Sequence, residues 1–75
     1  MNVWSNYKAG SKTNKVLKRR CKKYCRRLKK KGYSNFEVAI YRSYATIDCT
    51  TQEGHQTLFV DYCVDRCIDR SGNEV

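Results

Sequence analysis

A chain of 75 residues makes one domain at most, and at this size it buries only roughly 60% of its unfolded surface. Hydrophobic content of 40% with 12% aromatics still supports a small core and excludes a wholly disordered tail. The net charge of +9 points toward a polyanionic partner. Its distribution sharpens the point: residues 1–36 hold thirteen Lys or Arg and no acid, while residues 37–75 hold three Arg against seven acids.

Residues 1–11, MNVWSNYKAGS, lack the apolar run of a signal peptide, and nothing approaches the ~20 apolar residues of a membrane span. The expectation is a soluble, intracellular (cytoplasmic) protein with no membrane partner and with reduced thiols. This first stretch reads as an irregular N-terminal arm, pinned to the core by Trp4, ahead of a single α+β domain over residues 12–75.

Ser11 or Thr13 can cap a helix, and Gly32 is placed to end it. Between them Leu17, Cys21, Tyr24 and Leu28 recur at helical spacing, with Cys25 on their flank. The spacing predicts one long basic helix over 13–31, with an apolar stripe about 60° wide and Lys or Arg around most of the remaining surface. The segment KRRCKKYCRRLKKK packs ten basic residues into fourteen positions. Seven like-charge pairs stand at i, i+4, from 15–19 to 27–31, and no Glu relieves them. At about 0.2–0.5 kcal/mol each, they weaken the isolated helix by roughly 1.5–3.5 kcal/mol. A solvated helix face ordinarily mixes signs, so this pattern is better explained by a partner whose negative charge removes the repulsion and whose counterions are released on binding.

The second half is rich in Val, Ile, Thr, Tyr and Phe, which favour strands, and a turn near Glu53-Gly54-His55 divides it. A sheet over 36–69 follows, an antiparallel hairpin or, with a break near Arg42-Ser43, a three-stranded meander. In one antiparallel register, Ala39, Tyr41, Ala45, Ile47 and Cys49 share an apolar face with Leu58, Val60, Tyr62, Val64 and Ile68. The other face collects Arg42, Thr46, Asp48, Asp61, Asp65 and Asp69, with Arg42 opposite Asp65, together with Phe36, Val38, Ile40, Phe59 and Cys63. A helical reading competes, since Val60, Cys63, Val64, Cys67 and Ile68 also fit helical spacing and Ser34 with Glu37 would make a capping box. The apolar residues on the second face call for cover, either by a homodimer or by the Trp4 arm.

The candidate nucleic-acid-binding residues are Lys15, Lys18, Arg19, Lys22, Lys23, Arg26, Arg27, Lys29 and Lys30, with Lys22, Lys23, Arg26 and Arg27 as principal phosphate contacts. Lys predominates in the run, which favours backbone contact over base readout, and no sequence-reading motif is present. Tyr33, Tyr7 and Trp4 flank the run and could stack on unpaired bases or simply anchor the chain. The acids Asp61, Asp65 and Asp69 repel phosphate and are expected to pair with Arg42 and Arg66, so that charge reversal at Asp65 costs little stability.

Cys21/Cys25 and Cys63/Cys67 raise the question of zinc, but the Cys-x₃-Cys spacing is a weak signal and strand thiols at 63 and 67 could not share an ion. Small reduced core residues are the expected role, with no metal and no cofactor. His55 beside Glu53 is the one pair suited to general acid–base work, and no nucleophile, phosphate loop or paired-acid motif supports an enzyme. The sequence therefore reads as a small nucleic-acid-binding protein of RNA or DNA, not an enzyme. The alternative is a virus-type regulator or inhibitor that docks its basic helix on an acidic host-protein surface.

Overall fold

The computed structural model describes residues 3–6 and 11–75, with side chains from residue 12 onward. In chain order the elements are β1 (Val3–Asn6), α1 (Ser11–Lys30), β2 (Ser34–Ile40), β3 (Tyr44–Thr51), β4 (Gly54–Asp61) and β5 (Cys67–Ile68). One sheet holds the strands in sequence order, antiparallel from β2 to β5, with β1 parallel to β2 at the edge. The α+β class and the helix-on-meander arrangement expected from sequence are both present.

The helix forms where the apolar stripe requires it. Leu17, Cys21, Tyr24, Cys25 and Leu28 are all buried against the sheet. It starts at Ser11, so Thr13 lies inside the first turn and does not cap it. Its end is a Schellman motif: Tyr33 N–H donates to the Leu28 carbonyl (3.0 Å) and Gly32 N–H to the Lys29 carbonyl (3.1 Å). Gly32 takes φ +96°, which only glycine adopts cheaply, and Tyr33 packs back against the core.

The arm expected to be irregular contributes β1, whose Trp4 pairs through its backbone with Val38. β1 therefore extends the plane of the sheet at one edge and does not fold over the face opposite the helix. β1, α1 and β2 together make a βαβ unit, a connection that keeps the helix on one side of the sheet. The Trp4 side chain and all of Tyr7 lie outside the described residues.

The face assignment needs one correction, and its cause is the turn. Arg42-Ser43 is a two-residue loop that sets Ile40 opposite Ala45, and Tyr41 N–H donates to the Tyr44 carbonyl at 2.8 Å. Opposed residues share a face, so the even-numbered residues of β2 join the odd-numbered residues of β3. Phe36, Val38 and Ile40 are buried with Ala45, Ile47, Cys49, Leu58 and Val60, while Ala39 and Tyr41 turn to the other side. A bulge sets Asn35 and Phe36 between the pairs Ser34↔Thr50 and Glu37↔Asp48, with Asn35 at φ +56°. Phe36, two residues before Val38, keeps the core face, while the extra residue sets Ser34 opposite Thr50 on the other side, where it is exposed.

The helical alternatives are excluded. Ser34 and Glu37 belong to β2, and residues 60–68 are the end of β4, a loop and the short β5, in which Cys67 opposes Val60 and Ile68 opposes Phe59. Tyr62 and Val64 sit in that loop, Val64 half exposed, and Ile68 faces away from the core. Arg42 is in the β2–β3 turn and does not meet Asp65. On the face away from the helix, Tyr41 and Tyr44 stack at 4.9 Å between ring centroids, and Phe59 tilts against Tyr44 at 6.5 Å.

Four of the five thiols are core residues: Cys21, Cys25, Cys49 and Cys67 are buried, whereas Cys63 is exposed, and none is paired. Burial, helped by mutual repulsion among neighbouring thiolates, pushes Cys21 and Cys67 up to about 12 and Cys25 to about 11, and burial likewise raises Cys49. A thiol held protonated and out of solvent is a poor nucleophile. An aromatic disulfide reagent at about pH 8 should therefore titrate one thiol quickly in the native protein and all five after denaturation. Two or more fast thiols in the folded state would contradict this core.

Candidate nucleic-acid interface

The stripe that buries Leu17, Cys21, Tyr24 and Leu28 orients every other position of α1. At about 100° per residue, the direction opposite the core runs through Lys15, Arg19, Lys22, Arg26, Lys29 and Lys30. All six side chains are exposed. From Lys15 to Lys30 this ridge is ~22 Å long at 1.5 Å per residue. The helix carries no acidic residue that could fold onto it.

The remaining basic residues are placed differently. Lys18 is half-buried on one shoulder of the ridge. Arg27 is exposed on the other side, with its guanidinium 5.7 Å from the centre of the Tyr24 ring. Lys23 also lies over that ring, at 4.8 Å, and its Nζ donates to Asp65 Oδ2 at 2.6 Å. Of the four residues expected to lead phosphate contact, the structure thus sets Lys22 and Arg26 on the outward ridge and turns Lys23 and Arg27 toward Tyr24.

Asp65, in the β4–β5 loop, is the centre of this inner network. Besides Lys23, its Oδ1 accepts from the Tyr24 hydroxyl at 2.6 Å, and Arg20 Nε stands 3.8 Å away. Arg20 Nη1 also donates to the carbonyls of Asp61 (2.8 Å) and Tyr62, tying the same loop to the middle of the helix. Arg20 was not among the sequence candidates, and its place on the wheel beside the stripe is the only sequence signal that it faces inward. The expected pairing of Asp65 with Arg42 or Arg66 is replaced by this pairing with Arg20 and Lys23, because the loop after β4 passes beside α1. Asp69 spends its Oδ1 on the backbone N–H groups of Ser71 and Asn73, a local turn.

The hydrogen bonds from Lys23 and then Tyr24 hold the Asp65 carboxyl below its usual range. Burial first, and the bond to Asp65 second, push the Tyr24 hydroxyl up to about 12. His55 Nε2 stands 3.5 Å from Asp48 Oδ1, which also accepts from Thr57 Oγ1 at 2.6 Å. This group lies on the face of the sheet away from α1 and His55 is largely exposed; Glu53 does not enter it. Among the described residues, no three His, Cys, Asp or Glu side chains are placed to hold a metal ion, and no helix is long and apolar enough to cross a membrane.

No family model, no curated protein and no solved structure matches this chain. The functional reading rests on the geometry alone.

Charge reversal at Asp65 now carries a structural cost, since it would set a third cation against Arg20 and Lys23. Asp65→Asn should lower the thermal midpoint by ~4–8 °C, on the order of 1 kcal/mol for a half-exposed pair, and Asp65→Lys by more. The depressed carboxyl stabilises the fold above its unfolded value of ~3.9, and that contribution disappears as pH falls through the lower folded value. The raised Tyr24 hydroxyl stabilises the fold below ~10, and its contribution disappears as pH rises toward 12. Thermal midpoints measured across pH should show both limbs in the parent protein and a weaker acid limb in Asp65→Asn. An unchanged midpoint in both variants would refute the network.

Proposed function

We propose that the protein binds nucleic acid through the phosphate backbone, using the outward ridge of α1, and that it is a binding protein without catalytic activity. The observation that carries this reading is the division of α1 into faces. Arg20 and Lys23 share the Asp65 carboxylate at the inner edge, while Lys15, Arg19, Lys22, Arg26, Lys29 and Lys30 stand in solvent with no acid on their helix. A helix that accepts the repulsion of so many like charges on one exposed ridge gains most from a partner of opposite and repeating charge. The ~22 Å ridge is long enough to lie against several phosphates of a nucleic-acid backbone.

Lys18, Lys23 and Arg27 form the shoulders of the proposed interface, where they add field more than direct contact. The acids Glu37, Asp48 and Asp61 lie on strand positions that face away from α1, so repulsion of phosphate is concentrated on the opposite side of the molecule.

Binding to duplex DNA should weaken with salt at a log–log slope of roughly −4 to −5, and to single strands at about −3 to −4. Replacing Lys22 and Arg26 with Gln should flatten that slope by about 2 and weaken all sequences alike, with the fold as firm as before. A slope near zero in the parent protein would sink this reading. Retention of one protein partner at high salt, after nuclease treatment, would instead favour docking on an acidic protein surface, such as that of a host protein held by a small viral regulator.

A further inference from the structure

Three residues of the ridge, Lys22, Arg26 and Lys29, also form one wall of a cavity of about 560 Å³ between the second half of α1 and the start of β2. This volume falls within the ~300–1,000 Å³ typical of ligand pockets. The opposite wall is Tyr33 with the polar rim of Ser34 and Asn35, and the buried Phe36 and Cys25 line it as well. Cations, an aromatic ring and an apolar floor therefore converge on one concave space.

The local backbone makes this space. The Schellman turn brings the chain back beneath α1 with Tyr33 half-buried against the core, and strand period sets Phe36, two residues before Val38, on the core side just after it. β1 pairs with β2 only over 37–40, so among the described residues the outer edge of β2 at 34–36 has no strand partner. That edge offers backbone donors and acceptors next to the rim.

We infer that this cavity receives an unpaired nucleobase, stacked on Tyr33, while Lys22, Arg26 and Lys29 hold the phosphates on either side of it. The inference rests on the nucleic-acid reading above and narrows it to single strands, because a paired base cannot leave the duplex to enter without the cost of unstacking. A cavity of cations alone would suit a free anion, but the Tyr33 ring and the apolar floor give a flat aromatic ligand surface to cover. A second aromatic group among the described residues, Tyr41, Tyr44 and Phe59, shares its sheet face with Asp48 and Asp61. Phosphates flanking a base stacked there would meet negative charge.

The test compares three probes of equal length, about 12 nucleotides, by fluorescence anisotropy at one salt concentration: a single strand, a strand of the same backbone with abasic residues, and a duplex. The intact single strand should bind roughly tenfold more tightly than the abasic strand, as one stacked base supplies. Tyr33→Leu keeps an apolar side chain against the core and should remove that preference, leaving affinity for the abasic strand and its salt dependence unchanged. The comparison of probes on the parent protein needs no variant, so a Tyr33→Leu chain that folds poorly does not shield the inference. Equal, salt-sensitive binding of intact and abasic strands would overturn the cavity while leaving the ridge as a phosphate-binding surface. Absence of binding to all three probes would remove both. A preference that survives Tyr33→Leu but is lost in Tyr44→Leu would move the base to the opposite sheet face and overturn the assignment to the cavity.

Discussion

A helix with nine basic residues in the thirteen positions from Lys18 to Lys30 and no acid of its own is weakened by its own charge, so everything else in this protein depends on how that helix is held from outside. Local repulsion costs roughly 1.5–3.5 kcal/mol before any tertiary contact forms, a substantial part of the stability a small domain commands. The apolar stripe from Leu17 to Leu28 supplies the main opposing term by burial against β2, β3 and β4. Fully burying one such side chain contributes about 1.5–3 kcal/mol, so the stripe outweighs the repulsion several times over. Leu17 and Cys21 retain no exposed surface at all.

Asp65 acts at the margin between the buried stripe and the charged ridge. It pairs with two cations, Lys23 and Arg20, and orients Tyr24, whose ring in turn lies beneath Lys23 and Arg27. Because Arg20 also binds two carbonyls of the same loop, the β4–β5 connection and the middle of the helix form one polar unit beside the core. Beyond this unit, Lys15, Arg19, Lys22, Arg26, Lys29 and Lys30 are exposed on the outward ridge. The same contacts that stabilise the fold thus decide which cations are available to a partner.

The chain has no disulfide and builds its core partly from cysteines, which serve as compact apolar residues between helix and sheet. The termini of the sheet are closed in different ways. β1 adds a parallel edge to β2, and at the far edge β5 is short and joined by the C-terminal residues, with Val75 N–H donating to the Cys67 carbonyl at 3.0 Å. Both devices cover strand edges that would otherwise offer backbone groups to another chain.

The helix was legible in the sequence to within two residues at its start and one at its end, because helical spacing and an αL glycine are local signals that no distant contact alters. Its outward ridge followed from the same spacing, and the strands of the second half followed from their β-branched and aromatic residues. What local pattern could not determine was parity and partnership. A two-residue turn at Arg42-Ser43 moved Phe36, Val38 and Ile40 to the core face, and one extra residue at Asn35 turned Ser34 off it, since strand period is two and each such event exchanges the faces of the residues before it. β1 was hidden because four residues paired to a strand more than thirty positions away carry no periodic signature of their own. The partner of Asp65 was likewise beyond sequence: an ion pair depends on where a loop passes in space, and only the closure of β4 onto β5 brings that carboxylate to Arg20, Lys23 and Tyr24. The amino-acid order by itself determined which surface is cationic; the tertiary structure decided which of those cations share a carboxylate and formed the cavity beside the rest.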